Sequence, residues 1–134
     1  MTKLLVAAFL LAHGAIHAAF IGPRPPATAG GPAWPFELAR SWLLTPAGFD
    51  ADITRALGLA LTAATLGGFA LAALAVVGVL PIGVWFPTLF LGTVASIALL
   101  VLFFHPWLAL GLVIDLGLLW LALAADWTPA SILP

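Results

Sequence analysis

The sequence predicts an all-α fold: an up-down four-helix transmembrane bundle with one long loop between helices 1 and 2. Three observations lead there. The 134 residues are 64% hydrophobic and only 7% charged, whereas about 25% of a typical soluble domain is charged. Residues 56–114 contain no Asp, Glu, Lys or Arg, a run long enough for more than one span at about 20 residues each. Nothing in the chain alternates with a period of two, and open strands cannot cross lipid with their backbone groups unpaired. The same numbers exclude other classes. So few charges cannot cover the surface of a soluble enzyme. Four Lys+Arg cannot neutralise the phosphates that a nucleic-acid partner presents. The absence of cysteine excludes disulfides and thiolate metal sites.

The first apolar segment covers residues 3–21. Lys3, an apolar stretch and the small Ala18 and Ala19 fit a signal peptide. His13 and His17 interrupt the apolar core, however, and we expect a retained helix. The loop, residues 22–53, opens Gly-Pro-Arg-Pro-Pro and passes through Gly30-Gly31-Pro32, which are turn and extended signals. Within it, residues 34–44 mix Trp34, Phe36, Leu38, Trp42 and Leu43 with Glu37, Arg40 and Ser41. That mix fits a short interfacial helix with its tryptophans at headgroup depth, or equally an irregular lid on the bundle end. Two breakers divide the long apolar run: Leu80-Pro81-Ile82-Gly83 and His105-Pro106, since a residue before proline is pushed out of helical geometry. The spans that result are residues 55–80, 83–104 and 107–126, in one transmembrane domain covering 1–134. Short turns between them give antiparallel neighbours. Arg24, Arg40 and Arg55 fall on the loop side against Lys3 on the other, so the positive-inside rule places the loop in the cytoplasm. The expected location is the cell (plasma or inner) membrane, multi-pass. Small residues along helix 1 and helix 2, Gly14, Gly58, Gly67 and Gly68 among them, allow close helix approach. Trp34, Trp85, Trp107 and Trp127 read as interfacial belt residues, and Trp120 as packing.

The informative residues are the polar ones inside the spans. His13, Thr62, Ser96 and Asp115 each lie a similar distance from the loop-side end of their segment, roughly 10–12 Å at 1.5 Å per residue. His13 and His17 are spaced i, i+4 and share a face. So do Gly92 and Ser96, and Gly111 and Asp115, where the glycine leaves room above the carboxylate. An ionisable group inside a span faces the bundle interior or a wet cavity, so these faces should converge on a polar pocket opening toward the loop. The candidate ligand-binding residues are His13, His17, Arg55, Thr62, Ser96, His105 and Asp115, with Arg55 and His105 at the mouth. Plainer roles exist for each. The two histidines could be a structural hydrogen-bonded pair, and Asp115 a strut between helices. Thr62, Thr65, Thr93 and Ser96 could bond back to their own helices. Arg55 could be an interfacial anchor.

His13, His17 and Asp115 form a ligand set of the kind zinc or iron takes, so a metal ion is one candidate cofactor. A single axial histidine for a haem or pigment is a weaker one, because histidines one turn apart cannot bind opposite faces of one iron. A His–Asp chain also suits proton handling. No nucleophile–base pair, phosphate-binding glycine loop or acidic two-metal cluster is visible in the sequence.

His13-Gly14-Ala15-Ile16-His17, Trp34-Pro35-Phe36, Ser41-Trp42-Leu43-Leu44, Phe104-His105-Pro106-Trp107 and Gly111 to Asp115 together resemble small four-helix bacterial integral membrane proteins with an HGxxH motif in the first helix. These have no assigned activity, so the resemblance implies a fold and a locus. The leading functional expectation is a non-enzymatic ligand- or cofactor-binding module, or an accessory subunit of a membrane complex. The alternatives are a membrane-embedded enzyme acting on a lipid or quinone-like substrate through His13, His17 and Asp115, and a proton-coupled transporter working as an oligomer. The expected partners are the lipid bilayer and either further copies of the chain or a larger membrane complex, with no nucleic acid.

Overall fold

The computed structural model describes residues 1–26, 29–31 and 34–124. Four helices account for most of them: α1 (Thr2–Ile16), α2 (Ala51–Val76), α3 (Trp85–Leu102) and α4 (Ala109–Ala124). Short 3₁₀ turns extend three of them: His17–Phe20 after α1, Ile82–Val84 before α3 and Pro106–Leu108 before α4. No strand occurs among the described residues. With these extensions, all four helices are long and apolar enough to cross a membrane. Trp127 and residues 125–126 of the expected last span lie outside the described residues.

The helix ends follow local chemistry. Asp50 has extended backbone geometry and its carboxylate accepts from the Ile53 amide at 2.8 Å, satisfying one of the amides a helix start leaves free. The loop therefore ends at residue 50, and α2 begins before the expected residue 55, with Asp52 complementing the helix dipole in the first turn. At its other end α2 stops at Val76, short of the proline expected to break it. Gly78 adopts φ +83°, and the Val79 and Gly78 amides bond to the Leu74 and Ala75 carbonyls at 2.9 and 3.1 Å. This is a Schellman ending, which requires a residue comfortable in left-handed geometry. Before α4, Pro106 opens the 3₁₀ turn and the His105 ring accepts from the Trp107 amide at 3.2 Å.

The helices pack in sequence order, α1 on α2, α2 on α3 and α3 on α4, with α2 and α3 in the most extensive contact. Gly68 makes that contact close. A Cβ there would fall 2.5 Å from the Gly92 Cα, so the two backbones touch where glycine faces glycine. Gly14 meets Phe69 in the same way, with 3.1 Å to its Cβ. By contrast, α1 and α4 meet only slightly along a seam. Of the α4 span only 17% is buried within the chain, against 44% for α2 and α3, so α4 is the helix most open to lipid.

Two apolar clusters fill the interior. One contains Leu10, Phe69, Trp85, Leu89 and Leu118. The other contains Phe20, Leu38, Leu99, Leu100, Phe103 and Leu108. His13, His17, Ser96 and Asp115 fall between them along each helix, forming a polar layer. Two tryptophans depart from the expected pattern. Trp85 is core, 2% exposed, and Trp120 is 63% exposed. At 100° per residue, Trp120 is turned about 140° from the inward-facing Asp115.

The loop is an irregular lid, with no interfacial helix over 34–44. Ser41 explains part of this. Its hydroxyl accepts from the Leu43 and Leu44 amides at 3.3 and 3.1 Å, a local arrangement that competes with helix. The same hydroxyl donates to the Leu102 carbonyl at 2.6 Å, and the Trp42 indole donates to the Val101 carbonyl at 2.6 Å. Both carbonyls belong to the end of α3, so the lid is fastened where a helix terminus needs donors. Leu38 inserts against Gly58, where a Cβ would come within 2.6 Å of it. Phe36 packs edge-on to Phe20 at 5.1 Å.

Candidate functional site

The polar layer is one hydrogen-bonded chain drawn from three helices. His13 Nε2 lies 2.8 Å from Asp115 Oδ1. The Ser96 hydroxyl lies 2.5 Å from Asp115 Oδ2 and 2.8 Å from His17 Nε2. His17 Nδ1 lies 3.1 Å from the His13 carbonyl. All four side chains are buried, with Ser96 and Asp115 at 0% exposure. The carboxylate is thus held from two helices, which avoids the roughly 2.5–3.5 kcal/mol that a lone charge costs at mid-bilayer.

The backbone prepares this arrangement. At His17 the chain tightens from α to 3₁₀, and the His17 amide bonds to the Gly14 carbonyl. The His13 carbonyl is left for the His17 ring, which donates to it from Nδ1. Aromatic rings hold His13 in place: Phe69 is edge-on at 5.1 Å and Phe9 is stacked at 6.0 Å. His17 lies edge-on to His13 at 5.5 Å.

The bonding pattern fixes a proton count. A carbonyl only accepts, so His17 Nδ1 carries a hydrogen. Three links remain: His17 to Ser96, Ser96 to Asp115, and Asp115 to His13. Each needs one proton. Ser96 supplies one, and a neutral His13 protonated at Nε2 supplies another. The third comes from one additional proton, held on His17 or on Asp115. With it, the four side chains together carry no net charge, as a low-dielectric interior favours. The two forms differ by a concerted shift of two protons through the Ser96 hydroxyl.

Beside this layer, α1 and α4 bound a cavity of about 160 Å³. Its walls are mostly apolar. His13 and His17 are its ionisable residues, Gly111 leaves it room, and Phe36 of the lid and Trp107 line it toward the loop. It lies in the α1–α4 seam beside the 58%-exposed Ile16 and the 71%-exposed Leu110.

Of the expected site residues, the structure joins His13, His17, Ser96 and Asp115. Arg55 is exposed, and neither it nor His105 lines the cavity. Thr62 is buried, but its hydroxyl donates to the Gly58 carbonyl at 2.8 Å. Thr65 and Thr93, expected to bond back to their helices, have no hydrogen-bond partner among the described residues for their buried hydroxyls. As for a metal, no three His, Cys, Asp or Glu side chains are grouped to hold an ion among the described residues. His13 Nε2 and both His17 nitrogens are already engaged within the chain.

Ser96 does meet a histidine and an aspartate, a pairing not visible in the sequence. The order is wrong for nucleophilic catalysis, where the histidine stands between serine and aspartate. Here the serine stands between them, fully buried and away from the cavity wall. The contributions of Phe20 and Phe69 were also not read from the sequence. For Phe20, the i, i+3 spacing from His17 was the available signal.

Fold and site together define a small helical protein with four helices long and apolar enough to span a membrane and a buried His/Asp pair. Compared with protein-family models, curated proteins and solved structures, the chain matches none of them.

Proposed function

We propose that this protein is a non-enzymatic binding module for a small lipid-soluble molecule, which enters from the bilayer between α1 and α4. The observation that carries the reading is the cavity itself. Apolar walls of α1 and α4 enclose it, and its ionisable residues, His13 and His17, belong to a fully bonded buried chain. Such a site binds through apolar contact and fixes orientation through a single polar edge. The resemblance to small bacterial four-helix membrane proteins agrees with a shared locus here. An enzymatic reading has less support, because Ser96 has no access to a bound molecule and both oxygens of Asp115 are engaged.

The test is labelling with a photoactivatable apolar probe in lipid nanodiscs, mapped by mass spectrometry. Modification is expected to concentrate on the α1–α4 seam, around Ile16 and Leu110. Gly111→Leu is expected to abolish it by filling the cavity. Uniform labelling of all lipid-facing surfaces, unchanged by Gly111→Leu, would contradict the reading.

A further inference from the structure

We infer that the cavity selects a molecule bearing a hydroxyl on a single ring, a phenol-type headgroup, and that this hydroxyl donates to His13 Nδ1. The inference rests on the binding-module reading and adds the ligand's chemical class.

Proton bookkeeping gives the polarity of the site. With all three links made and no net charge on the four side chains, every proton is allocated. Ser96, His13 Nε2 and the one additional proton fill the links, and His17 Nδ1 serves the His13 carbonyl. None is left for His13 Nδ1. A hydrogen there would give the buried unit a net positive charge or break a link. The nitrogen is therefore a bare lone pair, an acceptor. Among the described residues, it is the only ring nitrogen of the two buried histidines without a partner. His13 itself forms part of the cavity wall. The partner it lacks is a donor, so a hydroxyl satisfies it and an ether or ketone oxygen does not.

Size and shape give the rest. A cavity of about 160 Å³ is close to the roughly 150 Å³ of apolar space that accommodates benzene in an engineered protein cavity. One ring fits, and Phe20, Phe36 and Trp107 offer it aromatic neighbours. An aliphatic tail has its exit along the seam beside Ile16 and Leu110, both exposed.

The experiment compares 4-nonylphenol with its methyl ether, 4-nonylanisole, on protein in nanodiscs labelled with ¹⁵N-histidine. The chain has three histidines, so each ring is assignable. Before addition, His13 is expected to show one protonated and one bare nitrogen. The phenol is expected to move the bare Nδ1 resonance and to bind about tenfold more tightly than the ether, the worth of one hydrogen bond. Gly111→Leu, whose side chain would occupy the cavity beside Leu100, is expected to remove the response to both. A protonated Nδ1 in the free protein, or equal binding of phenol and ether at the seam, would overturn the hydroxyl assignment and leave the binding module standing. Binding of neither would overturn both.

Discussion

Asp115 is the residue on which the polar layer turns, and its two simplest replacements should behave oppositely. In Asp115→Leu, the His13 Nε2 hydrogen loses its acceptor while remaining buried, and Ser96, which turns its hydrogen to His17 Nε2, loses its bond to the carboxyl group. A stranded donor costs about 1–3 kcal/mol and a lost hydrogen bond about 1 kcal/mol, so a loss of about 2–3 kcal/mol is expected. Asp115→Asn differs because its amide reproduces the protonated acid. Its oxygen accepts from His13 and its NH₂ donates to Ser96. Ser96 then donates to His17 Nε2, and both histidines stay neutral. Every link is made without the additional proton; the amide's second hydrogen is the one group left over, and the expected cost is about 1 kcal/mol. Reversible unfolding in mixed detergent micelles, followed by circular dichroism, measures both. Asp115→Leu as stable as the parent, or Asp115→Asn as damaging as leucine, would refute the bonding scheme and with it the proton count.

Other consequences follow from the packing. Gly68→Ala places a methyl against the Gly92 backbone and is expected to cost about 1–3 kcal/mol by overpacking. Gly67→Ala meets nothing within 4 Å and should raise stability by about 0.5–1 kcal/mol through helix propensity; the two melting temperatures read side by side check the α2–α3 contact. Asp50→Ala removes the α2 cap and is expected to cost about 1 kcal/mol, with faster amide exchange over residues 51–54. Ser41→Ala releases the lid from the Leu102 carbonyl, which should increase protease cleavage in the loop without altering the histidine spectrum.

The fold and the polar layer were legible because both rest on one-dimensional signals. Span length and breakers give four helices, and equal depth places His13, Ser96 and Asp115 in one layer. What was not legible depends on which helix faces meet. Trp85 and Trp120 exchange their expected roles because the inward direction is set by packing. The cavity lies in the α1–α4 seam, a consequence of close α2–α3 contact at Gly68 and Gly92 that leaves the outer pair apart. Thr62 satisfies the depth criterion but bonds its own helix, a choice that depth cannot reveal. The earlier start of α2 at Asp50 was readable in principle, since Asp50 stands three residues before Ile53 and a capping aspartate precedes a helix in just this way. Ser41 and Trp42 defeated a helical reading of the lid through bonds to residues 61 and 59 positions away, beyond any local pattern.

The central claim is that His13 and Asp115, 102 residues apart in sequence, form a single energetic unit across the α1–α4 seam. A double-mutant cycle of His13→Leu and Asp115→Leu measures this most directly, with unfolding free energies of the parent, both single variants and the double variant. The account predicts that the double variant is more stable than the sum of the single losses allows, by about 1–3 kcal/mol, because the second replacement removes a group the first had stranded. Losses that simply add, to within about 0.5 kcal/mol, would show that the two side chains do not bond across the seam, and would contradict the account.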